Sequence, residues 1–296
     1  MSSGVLAAAV RGKPIGLRMR KAAWRVIVYL LLLLLVAVAL LPLLWMVSTS
    51  LKPGYLEAYG LSLLPSKVTW SNYPDTWNRV PFPGPMANTI FITALALFGS
   101  LVSASITGFA FARLRFPGRD VWFAVLIMTM LIPPAIMIIP QYLLFNWLRW
   151  IDSYKPLIVP WFFGGGAFRI FLFRQFIKSI PEELDQAAEI DGCSTFRIFA
   201  QIIVPLMMPA VATVAVLGFM DFWNDFFAPF IYLNNVDKDT IVLRLFRIWS
   251  DHEGYMREEL HTVMAGNVLV TLPAFIIFFI AQKRFIQGIV TTGIKG

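Results

Sequence analysis

Apolar residues along this chain are gathered into six long runs, near residues 24–48, 86–111, 121–145, 157–176, 209–233 and 262–282. Roughly 20 mostly apolar residues are needed for a helix to cross the hydrocarbon core of a bilayer, and each run meets that length. Backbone N–H and C=O groups find no water in lipid, so spans of this kind must be helical. A membrane β-barrel would alternate inward and outward residues over about 10 positions, and these runs do not alternate. The first run is too long for the apolar part of a secretory leader and has no small-x-small cleavage pattern after it, so it reads as a retained anchor. The expected fold class is therefore all-α, a polytopic membrane bundle of six transmembrane helices.

Composition agrees. Of 296 residues, 58% are hydrophobic and only 14% are charged, against about 25% charged in an average soluble domain. The net charge of +8 would suit nucleic acid or an anionic surface in a soluble protein, but its distribution points elsewhere. Arg11, Lys13, Arg18, Arg20, Lys21 and Arg25 precede the first span, Arg113, Arg115 and Arg119 follow the second, Arg174, Lys178 and Arg197 follow the fourth, and Lys283, Arg284 and Lys295 follow the sixth. The opposite side holds fewer: Lys52, Lys67, Arg79, Arg149, Lys155, Lys238, Arg244, Arg247 and Arg257. The positive-inside rule then places both termini in the cytoplasm, and the charge needs no nucleic acid to explain it. This divides the chain into a cytoplasmic tail 1–23, a membrane domain 24–282 and a second cytoplasmic tail 283–296. A single cysteine, Cys193, excludes an internal disulfide or a multi-cysteine metal site, and two histidines, His252 and His261, make a histidine-rich metal site equally unexpected. No metal ligand set is assigned.

One cytoplasmic segment breaks the charge rule. Residues 178–208 read KSIPEELDQAAEIDGCSTFRIFAQIIVPLMM and carry Glu182, Glu183, Asp185, Glu189 and Asp191 on the side that otherwise collects cations. Local chemistry predicts helix–turn–helix. Ser179 with Glu182 has the spacing of a capping box, and Pro181 is tolerated in a first turn. Acidic residues sit at the positive end of that helix's dipole. Leu184, Ala187, Ala188 and Ile190 form a small apolar face, and Gly192 suits the left-handed residue that ends a helix. Ser194 or Thr195 caps a second helix carrying Phe196, Phe199, Ile202 and Ile203, which Pro205 and Pro209 break. On residues alone an ordinary amphipathic connector fits as well as a functional loop.

The segment resembles the EAA loop of ABC importer permeases, with pattern E-A-A, three residues, G, nine residues, I-x-L-P. Here those positions are Gln186-Ala187-Ala188, Gly192, Ile202, Val204 and Pro205, every spacing intact. Phe171-Leu172-Phe173-Arg174-Gln175-Phe176 leading to Ile180-Pro181-Glu182-Glu183-Leu184, Trp223-Asn224-Asp225, and Gln287-Gly288 through Gly293-Ile294-Lys295-Gly296 are similar to the MalG-like, binding-protein-dependent carbohydrate permeases. The resemblance runs from the first span to the last residue. It departs at Gln186, where the pattern has glutamate, and at Val204, where it has leucine. An amide at 186 loses the charge-assisted part of a contact to a basic partner residue, which Glu183, Asp185 or Glu189 could supply instead.

The resemblance implies a type I ABC importer permease fold in the cell (inner) membrane, transporting a sugar or, as the alternative, glycerol phosphate or a polyol. It implies no catalysis by this chain. The partners would be a second homologous permease chain, two ATPase subunits, an extracytoplasmic sugar-binding protein and membrane lipid. The sequence holds no G-x-x-x-x-G-K-[ST] phosphate loop, so the chain would bind no cofactor and ATP with Mg would be used by the ATPase. Glu183, Gln186, Ala187, Ala188, Glu189, Asp191, Gly192 and Pro205 would carry the coupling to that ATPase.

Inside the membrane, ionisable residues are costly and mark function by default. Arg169 lies in the fourth span beside Gly164-Gly165-Gly166, and Asp221, Trp223, Asn224 and Asp225 lie in the fifth. A glycine run lets a helix unwind, and broken helices often line substrate paths. These residues form the candidate substrate path; an internal Arg169–Asp pair that fixes packing is the alternative. Gln141, Asn146, Asn267 and Thr271 fit either role. A secondary transporter is disfavoured by the EAA-type loop and by the lack of an internal repeat, and a membrane enzyme by the lack of a nucleophile–base or metal constellation in the spans.

Overall fold

The computed structural model describes residues 15–60, 62–250 and 260–293. Arg11, Lys13, His252, Arg257 and the ending Ile294-Lys295-Gly296 lie outside the described residues.

Helix α1, Ile15–Ser50, begins ahead of the first apolar run and would extend about 54 Å at 1.5 Å per residue. Its most apolar stretch buries nothing against the rest of the chain, as expected of a helix apolar on every side. Two short helices follow, α2 (Tyr55–Ala58) and α3 (Asn72–Arg79). Asn72 ties α3 back to the end of α1 by donating from Nδ2 to the carbonyls of Ser50 and Lys52, at 2.8 and 2.9 Å.

Helix α4, Pro83–Arg113, is long and unbroken, with Pro83 and Pro85 confined to its first turn. Thr89, Thr93, Ala96, Ser100, Ala104 and Gly108 recur three or four residues apart and are all buried. Small residues at this spacing let helix backbones approach closely in a membrane. At Gly108 an added Cβ would stand 2.8 Å from Cβ of Phe173 and 3.1 Å from the Arg174 nitrogen, so α4 meets the fourth span almost backbone to backbone.

The third, fourth and fifth apolar runs are not single straight helices. The third is α5 (Arg119–Thr129) and α6 (Pro134–Trp147), meeting at 101°. Pro133-Pro134 produce this break: a residue preceding proline avoids helical φ/ψ, and Pro133 is extended with ψ 130. Pro140 lies inside α6, which continues through it. In the fourth run, α7 (Lys155–Ile158) passes through a 3-10 turn (Val159–Phe162) and then halts at the glycines before α8 (Ala167–Ser179) resumes. After α8 come α9 (Glu183–Ile190), α10 (Thr195–Ile198), a π turn (Phe199–Ile203) and α11 (Val204–Leu206). The chain then bends 76° into α12 (Met208–Trp223), and after Asn224–Phe226 one more short helix, α13 (Phe227–Tyr232), completes the fifth run. Helix α14 (Ile241–Ser250) and the long α15 (Leu260–Gly293, with Pro273 inside) end the described chain. Among the described residues four helical segments are individually long and apolar enough to cross a membrane, and counting each bent pair as one span gives six.

Among the described residues three apolar cores hold the bundle. One surrounds Phe173, Ile177, Ile203, Met207 and Val214 near the 178–208 loop. The others, around Phe145, Tyr232, Leu233 and Leu243 and around Val80, Phe82, Ile241 and Leu245, lie at the opposite end.

Candidate functional site

The loop at 178–208 is a helix–turn–helix, with its joints made differently from the expectation at one end. No capping box forms: Ser179 ends α8 and donates its hydroxyl to the Phe176 carbonyl at 2.6 Å, while Glu182 precedes α9 without a side-chain cap. A serine bonded back into its own helix is unavailable to the next one. The far joint follows the expectation. Gly192 has φ +78, its N–H donates to the Glu189 carbonyl and that of Cys193 to the Ala188 carbonyl. This pair of bonds is a Schellman motif, which satisfies the carbonyls at the end of α9. Ser194 then accepts from the Arg197 N–H at 3.4 Å and starts α10.

Pro205 acts as a breaker through the π turn. Lacking an N–H, proline forfeits the bond to the carbonyl four residues back and crowds it. The N–H of Val204 reaches instead to the Phe199 carbonyl, five residues back.

Helix α9 turns its faces opposite to the simplest amphipathic reading. Only Asp185 and Ala188 are buried, whereas Leu184, Ala187 and Ile190 are exposed, Ile190 to 87%. Glu183, Gln186, Glu189, Asp191, Gly192 and Pro205 are exposed too, and Phe196 of α10 is 74% exposed. Asp185 is occupied. Its carboxylate forms a close ion pair with Nε of Arg113, the last residue of α4, and both side chains are almost wholly buried. Arg113 also donates from Nη2 to the Ile180 carbonyl at 2.7 Å and stands 3.6 Å from Glu182. Asp185 is therefore unavailable to replace the charge missing at Gln186, leaving Glu183 and Glu189. Between α9 and the 114–119 turn opens a cleft of about 640 Å³ lined by Arg115, Arg119, Gln186, Glu189 and Thr195.

The intramembrane candidates separate into a pair and three singles. Gly164, Gly165 and Gly166 have φ of +100, +66 and +94, a run that L side chains disfavour. Unwinding frees carbonyls, and α4 satisfies them: Ser100 donates to Gly165 and Ser103 to Trp161, both at 2.8 Å. Immediately after the break, Arg169 extends its guanidinium to Asp221 of α12, Nη2 to Oδ2 at 2.8 Å. The guanidinium lies over the rings of Trp161 and Phe222, 5.0 and 4.9 Å from their centroids. A Cβ at Gly218 would stand 2.7 Å from Cδ1 of Leu97 and in ordinary contact, 3.4 Å, with Arg169 Nε, so the glycine lets α12 pack closely on α4 beside the pair. Arg169 is buried while the Asp221 side chain is 68% exposed.

The other three do not join this pair. Trp223 is buried and donates from Nε1 to the Val270 carbonyl of α15 at 3.1 Å, a packing role. Asn224 bonds back to the Met220 carbonyl, and Asp225 accepts the Ala228 N–H at the start of α13. Gln141 approaches the Tyr232 hydroxyl at 3.4 Å, and Thr271 bonds within α15 to Asn267. Among the described residues no three His, Cys, Asp or Glu side chains gather as a metal site.

At the opposite end of the bundle a polar hub escaped the sequence reading. Asp239, fully buried, faces Arg247 at 3.5 Å and Arg244 at 3.8 Å, and burial pushes its carboxyl up against the pull of both arginines. Asp152 pairs with Lys238 at 2.7 Å and accepts the N–H groups of Asn234 and Asn235. The Lys238 ammonium and the Asn235 N–H hold the Asp152 carboxyl below the usual carboxylate range. Asn88 of α4 donates to the carbonyls of Asp237 and Asp239, and Thr89 accepts the Ile241 N–H.

An all-helical bundle with broken spans and an exposed helix–turn–helix of this spacing defines a membrane transport subunit. The chain belongs to the family of binding-protein-dependent transport system inner membrane components, whose model matches residues 100–291. It is 31% identical over 271 residues to the galactooligosaccharides transport system permease protein GanQ of Bacillus subtilis (strain 168), covering 90% of this chain and 94% of that one. It is 30% identical over 263 residues to the arabinooligosaccharides transport system permease protein AraQ of Halalkalibacterium halodurans, covering 88% and 92%. It is also 30% identical over 267 residues to the sn-glycerol-3-phosphate transport system permease protein UgpE of Shigella flexneri, covering 88% and 94%. The fold matches a chain of a bacterial ABC transporter involved in the import of the acidic polysaccharide alginate, with TM-score 0.79 and 26% identity over 90% of this chain and 98% of that one. A chain from the alginate transporter in complex with alginate pentasaccharide-bound periplasmic protein shares the fold at TM-score 0.66 and 16% identity. The type I ABC importer permease fold, multi-pass membrane placement and a transport rather than catalytic role follow.

Proposed function

We propose that this chain is one of two membrane subunits of an ATP-driven sugar importer, and that α9 and the turn at Gly192 are its seat on a cytoplasmic ATPase. The observation that carries this reading is the exposed apolar face of α9. Leu184, Ala187 and Ile190 stand in solvent beside Glu183, Gln186 and Glu189 on a helix whose buried side is already filled by Asp185 and Ala188. A short amphipathic helix with apolar anchors at i, i+3 and i+6 fits a helix-in-groove contact. ATP and Mg would act in the partner, and closure of two ATPases would rock the spans between inward- and outward-open states. A second permease chain and a solute-binding protein on the far side complete the assembly, with both termini and α9 on the cytoplasmic side.

The broken fourth span supports an uncharged solute. Arg169, the cation of the candidate path, is buried and paired with Asp221, and the exposed member of the pair is the carboxylate. That favours sugar hydroxyls over glycerol phosphate, with Asp221 and Asn224 as the exposed polar groups of the candidate path.

Reconstitution tests the reading. The chain, expressed with its partner permease and ATPase subunits and placed in liposomes with the binding protein, is expected to take up an oligosaccharide in an ATP-dependent manner. Ile190→Glu is expected to prevent co-purification of the ATPase. Co-purification undiminished in that variant would remove α9 as the seat; uptake of glycerol phosphate without oligosaccharide would overturn the solute class.

A further inference from the structure

We propose that α4 is the strut that carries motion through the membrane, fastened by Arg113 to the coupling helix and by Asn88 and Thr89 to the 237–241 segment at the opposite end. This rests on the reading of α9 as the ATPase seat and adds how its movement reaches the far side.

The two fastenings tie the ends of α4 to segments that lie outside the spans. At one end Arg113 is buried in a pair with Asp185 and bonded to the Ile180 carbonyl, so it holds both α9 and the turn that precedes it. The bond to Ile180 is charge-assisted, about twice as strong as a neutral one. At the other end Asn88 donates to two carbonyls, Asp237 at 2.9 Å and Asp239 at 3.0 Å, while the Thr89 hydroxyl accepts the Ile241 N–H at 2.8 Å. Asp239 in turn faces Arg244 and Arg247, which draws α14 into the same body.

What lies between the fastenings is stiff. Helix α4 has 31 residues, about 46 Å at the helical rise, with no proline beyond its first turn. Among the described spans the third breaks at 101°, the fourth at its glycines and the fifth at Asn224–Phe226, while α1 and α15 each carry an interior proline, Pro42 and Pro273, that removes a helical hydrogen bond. A displacement of α9 pulls on Arg113 and reaches Asn88 without a hinge in the path.

A double-mutant cycle tests this in the reconstituted importer, reading the ratio of binding-protein-stimulated to basal ATPase activity. Arg113→Ala and Asn88→Ala are each expected to lower that ratio at least about fivefold, the lower range of ordinary coupling between sites. The double variant is expected to fall no further than the worse single, because a strut released at one end transmits nothing for the other to lose. Asp185→Asn keeps the size of the side chain while removing its charge, and must reproduce the Arg113 loss with ATPase still co-purifying. A ratio within about twofold of wild type in either single variant, retention of coupling in Asp185→Asn, or losses that multiply in the double variant would each overturn the proposal. Failure of the wild-type importer to respond to its binding protein would instead strike the coupling reading itself.

Discussion

Arg169 and Asp221, far apart in sequence, meet at 2.8 Å across the interface of α8 and α12, the cation buried and the anion largely open. Removing the two partners should therefore have unequal effects. Asp221→Ala leaves a buried guanidinium unpaired and is expected to cost about 1–3 kcal/mol, less than for a pair enclosed on both sides because this chain leaves the Asp221 side chain 68% uncovered. Arg169→Met leaves only an exposed carboxylate and keeps the stem between Trp161 and Phe222, so it should cost less. The double variant should recover part of the Asp221→Ala loss. Thermal melting of the solubilised importer in all three variants measures this, and equal losses in the two singles would refute it.

The glycines of the fourth span should rank by their surroundings. Gly165 has φ +66 and packs on the Ser100 carbonyl and Ala104, so Gly165→Ala clashes with backbone and is expected to abolish assembly. Gly164 has φ +100 with open space around it. Gly164→Ala should meet only backbone strain, about 1–2 kcal/mol. Yield of intact complex by size-exclusion chromatography distinguishes the two.

At Gly192 only the backbone matters, since no atom would touch an added Cβ. Gly192→Asn, which tolerates φ +78, should keep most sugar-stimulated ATPase activity. Gly192→Pro cannot reach positive φ and also deletes the N–H that bonds Glu189, so stimulation should disappear while membrane insertion persists.

Asp152 offers a pH test at the hub. Its carboxyl titrates below the ordinary range when folded, so the unfolded chain takes up the proton first as pH falls. The stabilisation is full well above the unfolded value of about 3.9, declines as pH drops past it, and is gone below the folded value. Asp152→Asn should lower the melting temperature at pH 7, reflecting a stability loss of about 1 kcal/mol or less for a pair this exposed. The difference should shrink on acidification below about pH 4; a gap that widens there would contradict the assignment.

The six apolar runs, the turn at Gly192, the Ser194 cap and the unwound glycines were all legible in the sequence, because each depends on length or on residues a few positions apart. The partner of Asp185 was not. Arg113 lies on another span, and as one of several cytoplasmic cations it carried only a topology signal. Spacing marked Leu184, Ala187 and Ile190 as one apolar face, but periodicity is silent on whether such a face meets its own chain or another. Ser179 and Glu182 had the spacing of a capping box, yet the preceding helix claimed the hydroxyl. The breaks at Pro133-Pro134 and around Pro205 and Pro209 were legible from the prolines, but their angles of 101° and 76° were not, because hydropathy scores a bent run the same as a straight one.

The π turn at Phe199–Ile203 has a consequence for rotation. A residue accommodated as an extra member of a helical turn advances everything after it by about 100° around the axis. Removing one residue from this turn would let an α-helical turn close in its place and turn the following segment back by that angle. Because the chain bends 76° between α11 and α12, that rotation would swing α12 as a whole and carry Asp221 away from Arg169 although neither had been altered. The length of this one turn sets the direction in which the fifth span leaves the loop.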